Sequence, residues 1–199
     1  MNNILKIAII AYLIGNFSSA YILGKLCRKK DIRNYGSGNA GATNALRVFG
    51  LKIGIIAFIF DILKGFVAVK VGKSIMGFDG GLVAGLFVVI GHNWPIFLKF
   101  KGGKGIASSL GVMLCLNPPI TIICMIIGFS IIAKTRYVSL GSIVATGLVP
   151  IVGLIMKKPF DLKFFLFTIV LAFMAILRHR SNIKRLLAGE ESKLGERVD

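Results

Sequence analysis

The sequence predicts an all-α polytopic integral membrane protein with seven transmembrane helices, an external N-terminus and a cytoplasmic C-terminus. Three observations predict it. Hydrophobic residues make up 55% of the 199-residue chain and charged residues only 17%, where soluble domains carry about 25% charged. The mean hydropathy is +0.81, and the apolar residues fall in long runs. The cations, which give the chain a net charge of +17, gather in the gaps between those runs.

Taken in order, the apolar runs lie near residues 4–24, 53–72, 80–98, 105–117, 118–133, 137–156 and 162–177. A spanning helix needs about 20 residues. Ser18-Ser19-Ala20 resembles a leader-peptide cleavage site, but only Lys6 precedes the first run, while Lys25, Arg28, Lys29 and Lys30 follow it. That asymmetry holds the far end in the cytoplasm, so the run reads as a retained helix. The fourth and fifth runs abut at Asn117-Pro118-Pro119, a turn between helices. The fourth is short and must borrow from its flanks or be sheltered by protein.

Charge decides the orientation. Seven cations lie in residues 25–52, three in 99–104, two at Lys134 and Arg136, and six between Arg178 and Arg197. Seven spans put all eighteen of these 25 cations on one side, which is then cytoplasmic. Six spans, with 105–133 as one bent helix, would split the clusters between the two faces. The same placement argues against nucleic acid as the partner and for anionic membrane lipid. Cys27, Cys115 and Cys124 form neither a disulfide framework nor a metal-ligand pattern, so no metal or cofactor is expected. One membrane domain over residues 1–199 is expected.

Three polar stretches fall on the cytoplasmic side of this scheme: GSGNAGATNALR (36–47), the region 91–111 that opens GHNWPIFLKFKGGKG, and RHRSNIKRLLAGEE (178–191). Gly36, Gly38 and Gly41 fit the glycine fingerprint of a dinucleotide loop, with Asp61 twenty residues beyond. The context does not fit, because that fingerprint must follow a strand inside a βαβ unit. The glycines still permit close backbone approach. Ala42-Thr43-Asn44-Ala45-Leu46-Arg47 reads as a helix start whose free N–H groups attract phosphate. Thr43 and Arg47, four apart, share a helix face.

In the second stretch, Gly102-Gly103-Lys104-Gly105 is not a P-loop, since Gly105 stands where Ser or Thr is required. A glycine-flanked lysine is nevertheless a good anion seat. His92 reads as a structural hydrogen bonder and Trp94 as an interface anchor. In the third stretch, His179 and Asn182 are three apart and share a helical face. A histidine among arginines has its protonated form disfavoured, which suits it to hydrogen-bond or deprotonate a hydroxyl. Asp61 and Lys64, three apart within an apolar run, are a structural ion pair or a binding pair.

Arg47, Lys104 and the Arg178/Arg180 group suit phosphate at the boundary between apolar core and cytoplasm. A ligand with a phosphate head and an apolar tail fits that boundary, and Ser37, Asn39, Asn44 and Asn182 can supply hydrogen-bond donors.

SGNAGATNALR (37–47), the run from Gly91 through Lys104 to Gly111, and HRSNIKRLLAGEE (179–191) together resemble the signature blocks of the bacterial acyl-phosphate:glycerol-3-phosphate acyltransferases, the PlsY type. The resemblance covers nearly the whole chain and keeps the order of the motifs. It implies transfer of the acyl group of a fatty acyl phosphate to the 1-position of glycerol 3-phosphate. The products would be lysophosphatidate and phosphate, at the first step of phospholipid biosynthesis in a bacterial inner membrane. The H-x-x-x-x-D motif of acyl-CoA-dependent enzymes is absent, since Phe97 and Lys184 stand five beyond the two histidines.

By matching positions the resemblance implies catalytic roles for Ser37, Arg47, Lys104, His179 and Asn182. It implies substrate or phosphate binding by Gly38, Asn39, Gly41, Thr43, Asn44, Gly102, Gly103 and Glu191. Ser108 stands where the family often has Thr and keeps its hydroxyl. The rival expectation is a membrane carrier for an organic phosphate, which would place its polar groups near the midplane rather than on one face.

Overall fold

Asn2 begins the first helix by accepting the Ile4 N–H on its side chain at 3.2 Å, and helices account for all the regular structure that follows. The computed structural model describes residues 2–196, so Arg197 of the basic tail lies outside the described residues. Helices α1 (Asn3–Asn16) and α2 (Ser19–Arg28) make up the first apolar run, broken where Phe17 and Ser18 turn extended. Helix α3 spans Ala42–Phe49 and α4 spans Leu51–Asn93. Then follow α5 (Ile106–Leu116), α6 (Pro118–Thr135), α7 (Val138–Met156), α8 (Leu162–Arg178) and α9 (Arg180–Ala188). No strand occurs among the described residues.

The second and third runs join in α4, which reverses direction at Met76 and at Gly77, whose φ is +59°. Gly72 packs directly on Gly80, as only a hairpin allows. The third run was expected to reach residue 98, but its helix ends at Asn93. Pro95 disfavours helical geometry in the residue before it, and Ile96–Leu98 forms a 3-10 turn instead.

Among the described residues three stretches are long and apolar enough to cross a membrane: Asn3–Arg28, Pro118–Thr135 and Val138–Met156. Helices α8 and α9, bent by 58°, make a fourth if taken together. Large apolar side chains such as Ile126, Phe129, Ile155, Leu166 and Phe173 stand exposed on these helices. Contiguous apolar surface of this kind suits lipid rather than water.

The helices form two compact units, residues up to Leu116 and Asn117–Glu196. In the first unit α4 is the hub. Gly15 of α1 and Gly91 of α4 approach closely, and Gly65 and Gly111 bring α4 and α5 backbone to backbone. The short α5 is sheltered, with Ala107, Ser108, Ser109, Gly111, Val112, Met113 and Leu116 buried. In the second unit α7 packs on both α6 and α8, with Gly128 against Gly141. Asn117 caps α6 through the Ile120 N–H at 3.3 Å, which realises the expected Asn-Pro-Pro turn.

Candidate active site

A small apolar cluster of Ala20, Ile32, Ala40, Ala45, Phe49, Ile53, Ala57 and Leu98 forms a floor beneath the first glycine-rich loop. Burying side chains the size of Phe49 and Leu98 stabilises such a floor by about 1.5–3 kcal/mol each. Above it, Gly36 and Gly38 sit at φ +57° and +68°, where a side chain is strained. Gly41 differs from expectation: its φ of −116° is ordinary, and it serves as the residue before α3. Thr43 and Arg47 lie on α3, both half-buried, while Ser37 is exposed.

Asn44 organises the loop. Its Nδ2 donates to the carbonyls of Ile32, Tyr35 and Asn39 at 3.3, 3.0 and 3.0 Å. Its Oδ1 accepts the Ser37 N–H at 2.9 Å. Named for phosphate binding, Asn44 here spends its amide on the chain itself and fixes the backbone that presents Ser37. Arg33 and Asp31 brace the same region with a 2.7 Å ion pair. The Arg33 guanidinium, by hydrogen bonding, holds the Asp31 carboxyl below its usual range. Arg33 also donates to the Leu98 carbonyl at 2.9 Å.

The second loop meets the first. Asn39 Nδ2 donates to the Gly102 carbonyl at 3.2 Å, so the backbone around Lys104 is tied to the loop that precedes α3. The Gly103 N–H donates to the His92 carbonyl at 3.0 Å. Gly102 and Gly103 are buried, Lys104 is half-buried, and α5 starts two residues later. Beneath this loop Asp61, Lys64 and His92 are all buried. Lys64 Nζ lies 2.8 Å from Asp61 Oδ1 and 2.7 Å from His92 Nδ1. It also donates to the carbonyls of Phe17 at 2.6 Å and Gly15 at 3.3 Å. These are carbonyls released by the break between α1 and α2, so one cation satisfies a helix end that would otherwise be buried unpaired. The sequence signal for the pair was its i, i+3 spacing; its link to His92 had none.

In the second unit, His179 sits at the bend between α8 and α9 and is 3% exposed. Its Nδ1 lies 2.8 Å from the Ala175 carbonyl. A carbonyl only accepts, so Nδ1 carries a proton, and it is Nε2 that holds the lone pair when the ring is neutral. Asn182, also buried, donates Nδ2 to Glu191 Oε1 at 2.6 Å. The same oxygen accepts Ser139 Oγ at 2.8 Å, and Oε2 accepts Arg185 Nε at 2.8 Å. Burial pushes the Glu191 carboxyl up, but the bonds from Asn182, Ser139 and Arg185 outweigh it and leave the group below its ordinary range. Glu191, grouped with the substrate-binding residues by its place in the motif, is here an internal brace for Asn182. Arg185, expected only as a topological cation, completes that brace, as does Ser139, which no motif marked.

The expected catalytic residues therefore divide: Ser37, Arg47 and Lys104 belong to the first unit, and His179 and Asn182 to the second. Within the first, Asn39 joins the two loops; within the second, Glu191 sets Asn182 one helical turn from His179. Among the described residues no group of three or more His, Cys, Asp or Glu side chains could hold a metal ion.

The model of the glycerol-3-phosphate acyltransferase family matches residues 5–189. A glycerol-3-phosphate acyltransferase of Thermoanaerobacter pseudethanolicus is 56% identical over 192 residues, covering 96% of each chain. One from Clostridioides difficile is 46% identical over 199 residues, covering 97% of this chain and 96% of the other. Among solved structures, PlsY (YgiH), an integral membrane glycerol 3-phosphate acyltransferase, superposes in its glycerol 3-phosphate form with a TM-score of 0.90. That match has 38% identity and covers 96% of each chain. Its lysophosphatidic acid form gives a TM-score of 0.87 at 36% identity, covering 96% of this chain and 95% of that one. This chain belongs to the glycerol-3-phosphate acyltransferase family.

Proposed function

We propose that the protein transfers the acyl group of a fatty acyl phosphate to the 1-position of glycerol 3-phosphate. The observation that carries this reading is the junction of the two loops, where Asn39 holds the Gly102 carbonyl. It gathers glycine-rich backbone, the N-terminus of α3 and the Lys104 segment into one region suited to phosphate. The glycerol 3-phosphate and lysophosphatidic acid forms of PlsY (YgiH) support the acceptor and the product. The absent H-x-x-x-x-D motif supports acyl phosphate over acyl-CoA as donor.

In this reading Arg47 and Lys104 hold phosphate, and the backbone of 38–41, Thr43, Gly102 and Gly103 complete its seat. Ser37 and Asn182 bind the reacting oxygens. His179, through Nε2, positions the 1-hydroxyl. The hydroxyl oxygen attacks the acyl carbonyl carbon, the bond from that carbon to the phosphate oxygen breaks, and phosphate leaves with the electron pair. The proton passes to His179 or to the departing phosphate. Donors aimed at the developing oxyanion lower the barrier, and no acyl-enzyme is required.

One membrane domain with seven spans accommodates this chemistry: α1 with α2, the two arms of α4, α5, α6, α7 and α8. Its cations then face the cytoplasm of a bacterial inner membrane. The test uses purified protein with glycerol 3-phosphate and either acyl phosphate or acyl-CoA. Lysophosphatidate from acyl phosphate alone is expected. Product from acyl-CoA alone would overturn the donor assignment, and vesicle uptake of glycerol 3-phosphate without acylation would favour a carrier.

A further inference from the structure

We propose that Asp61, Lys64 and His92 form a buried positioning relay that sets the Gly102-Gly103-Lys104 loop, and with it the protein's affinity for one phosphate-bearing substrate. The proposal rests on the phosphate-seat reading of Lys104, which it deepens.

Four acceptors surround Lys64 Nζ: Asp61 Oδ1, His92 Nδ1 and the carbonyls of Phe17 and Gly15. Such a shell suits an ammonium, whose three N–H groups donate to His92 Nδ1 and to the two carbonyls. His92 Nδ1 is then an acceptor, so the ring proton sits on Nε2, and the ring has a fixed tautomer and orientation. Asp61 Oδ1 stands 3.7 Å from the same Nδ1 and neutralises the cation. Its contact with Lys64 is an ion pair rather than a well-aligned hydrogen bond.

The other edge of the ring carries the loop. A Cβ built on Gly103 would collide with His92 Nε2 and lie 2.7 and 2.9 Å from the two adjacent ring carbons. Gly103 therefore abuts the Nε2 edge of the imidazole, close to the ring plane. Its N–H is held by the same residue's carbonyl at 3.0 Å. A Cβ on Gly102 would strike that carbonyl too. His92 thus grips the loop at both ends of its own structure, and Lys64 sets the angle of the grip. A pair placed only to join helices would not need the Nε2 edge of a histidine set against the residue before Lys104.

The test compares variants in lipid nanodiscs by amide hydrogen exchange of residues 99–106 and by KM and kcat for both substrates. His92→Asn keeps an acceptor near the Nδ1 position but removes the ring edge that meets Gly103. Faster loop exchange is expected, with exchange in α4 unchanged and KM for one phosphate substrate raised roughly tenfold or more, beyond any fall in kcat. The charge-free pair Asp61→Asn/Lys64→Met is expected to show the same pattern more weakly. Gly103→Ala should lose activity through its clash, and Gly103→Ala/His92→Ala should recover part of it. That recovery is read against Gly103→Ala itself, so it decides even if His92→Asn loosens the whole unit. Unchanged loop exchange and KM in His92→Asn, or a double variant worse than Gly103→Ala, would overturn the proposal. Exchange needs no substrate, so it stands apart from the acyl-transfer reading, whose failure would show as an inactive wild-type protein.

Discussion

Lys104 and Arg47 bring cationic charge to glycine-rich segments where the backbone itself offers N–H groups. A hydrogen bond to a charged group is worth about 1.5–3 kcal/mol. Lys104→Ala should therefore lower kcat/KM by roughly tenfold to a hundredfold in steady-state assays, with thermal unfolding little changed. Glu191 predicts a different signature. Its folded pKa lies below the ordinary 4.5, so its bonds stabilise the fold above that pH, and the stability is lost as pH falls through the depressed value. Thermal unfolding scanned downward from neutral pH should show this drop, and Glu191→Gln should flatten it. The sequence marked both residues, but only three-dimensional contacts separate a ligand-facing charge from an internal one. Both of Glu191's oxygens are taken by Ser139, Asn182 and Arg185, and Ser139 lies 52 residues away with no local pattern to announce it.

At the scale of elements, apolar runs located the helices because a buried or lipid-facing helix needs little else. The Asn-Pro-Pro turn was legible from chemistry that acts locally. The reversal at Met76-Gly77 falls in the gap between the second and third runs, whereas the break at Phe17-Ser18 was not legible, because the distant Lys64 stabilises it. Helix α5 illustrates the packing: a Cβ on Gly111 would run into the Ile62 carbonyl of α4. Gly111→Leu should destabilise the first unit by about 1–3 kcal/mol or more, seen as a lower unfolding temperature in detergent. Asn44→Ala leaves buried carbonyls without their donor at about 1–3 kcal/mol in all. Because those carbonyls belong to one loop, activity should fall well before helicity does.

For the molecule as a whole, the proposed orientation rests on where the cations lie. Cys27, exposed at the end of α2, is a native reporter for it, since Cys124 is buried and Cys115 half-buried. A membrane-impermeant maleimide should label Cys27 in inverted inner-membrane vesicles and not in intact spheroplasts; the reverse would invert the topology. The central claim, that an acyl group and not a phosphoryl group moves to glycerol 3-phosphate, is tested most directly by isotope transfer. Acyl phosphate carrying oxygen-18 in the bridge between carbonyl and phosphorus is supplied with glycerol 3-phosphate, and both products are analysed by mass spectrometry. Attack at the carbonyl carbon predicts the label in inorganic phosphate, released in step with unlabelled lysophosphatidate. Label left in free fatty acid, with a second phosphate on the glycerol, would contradict the account.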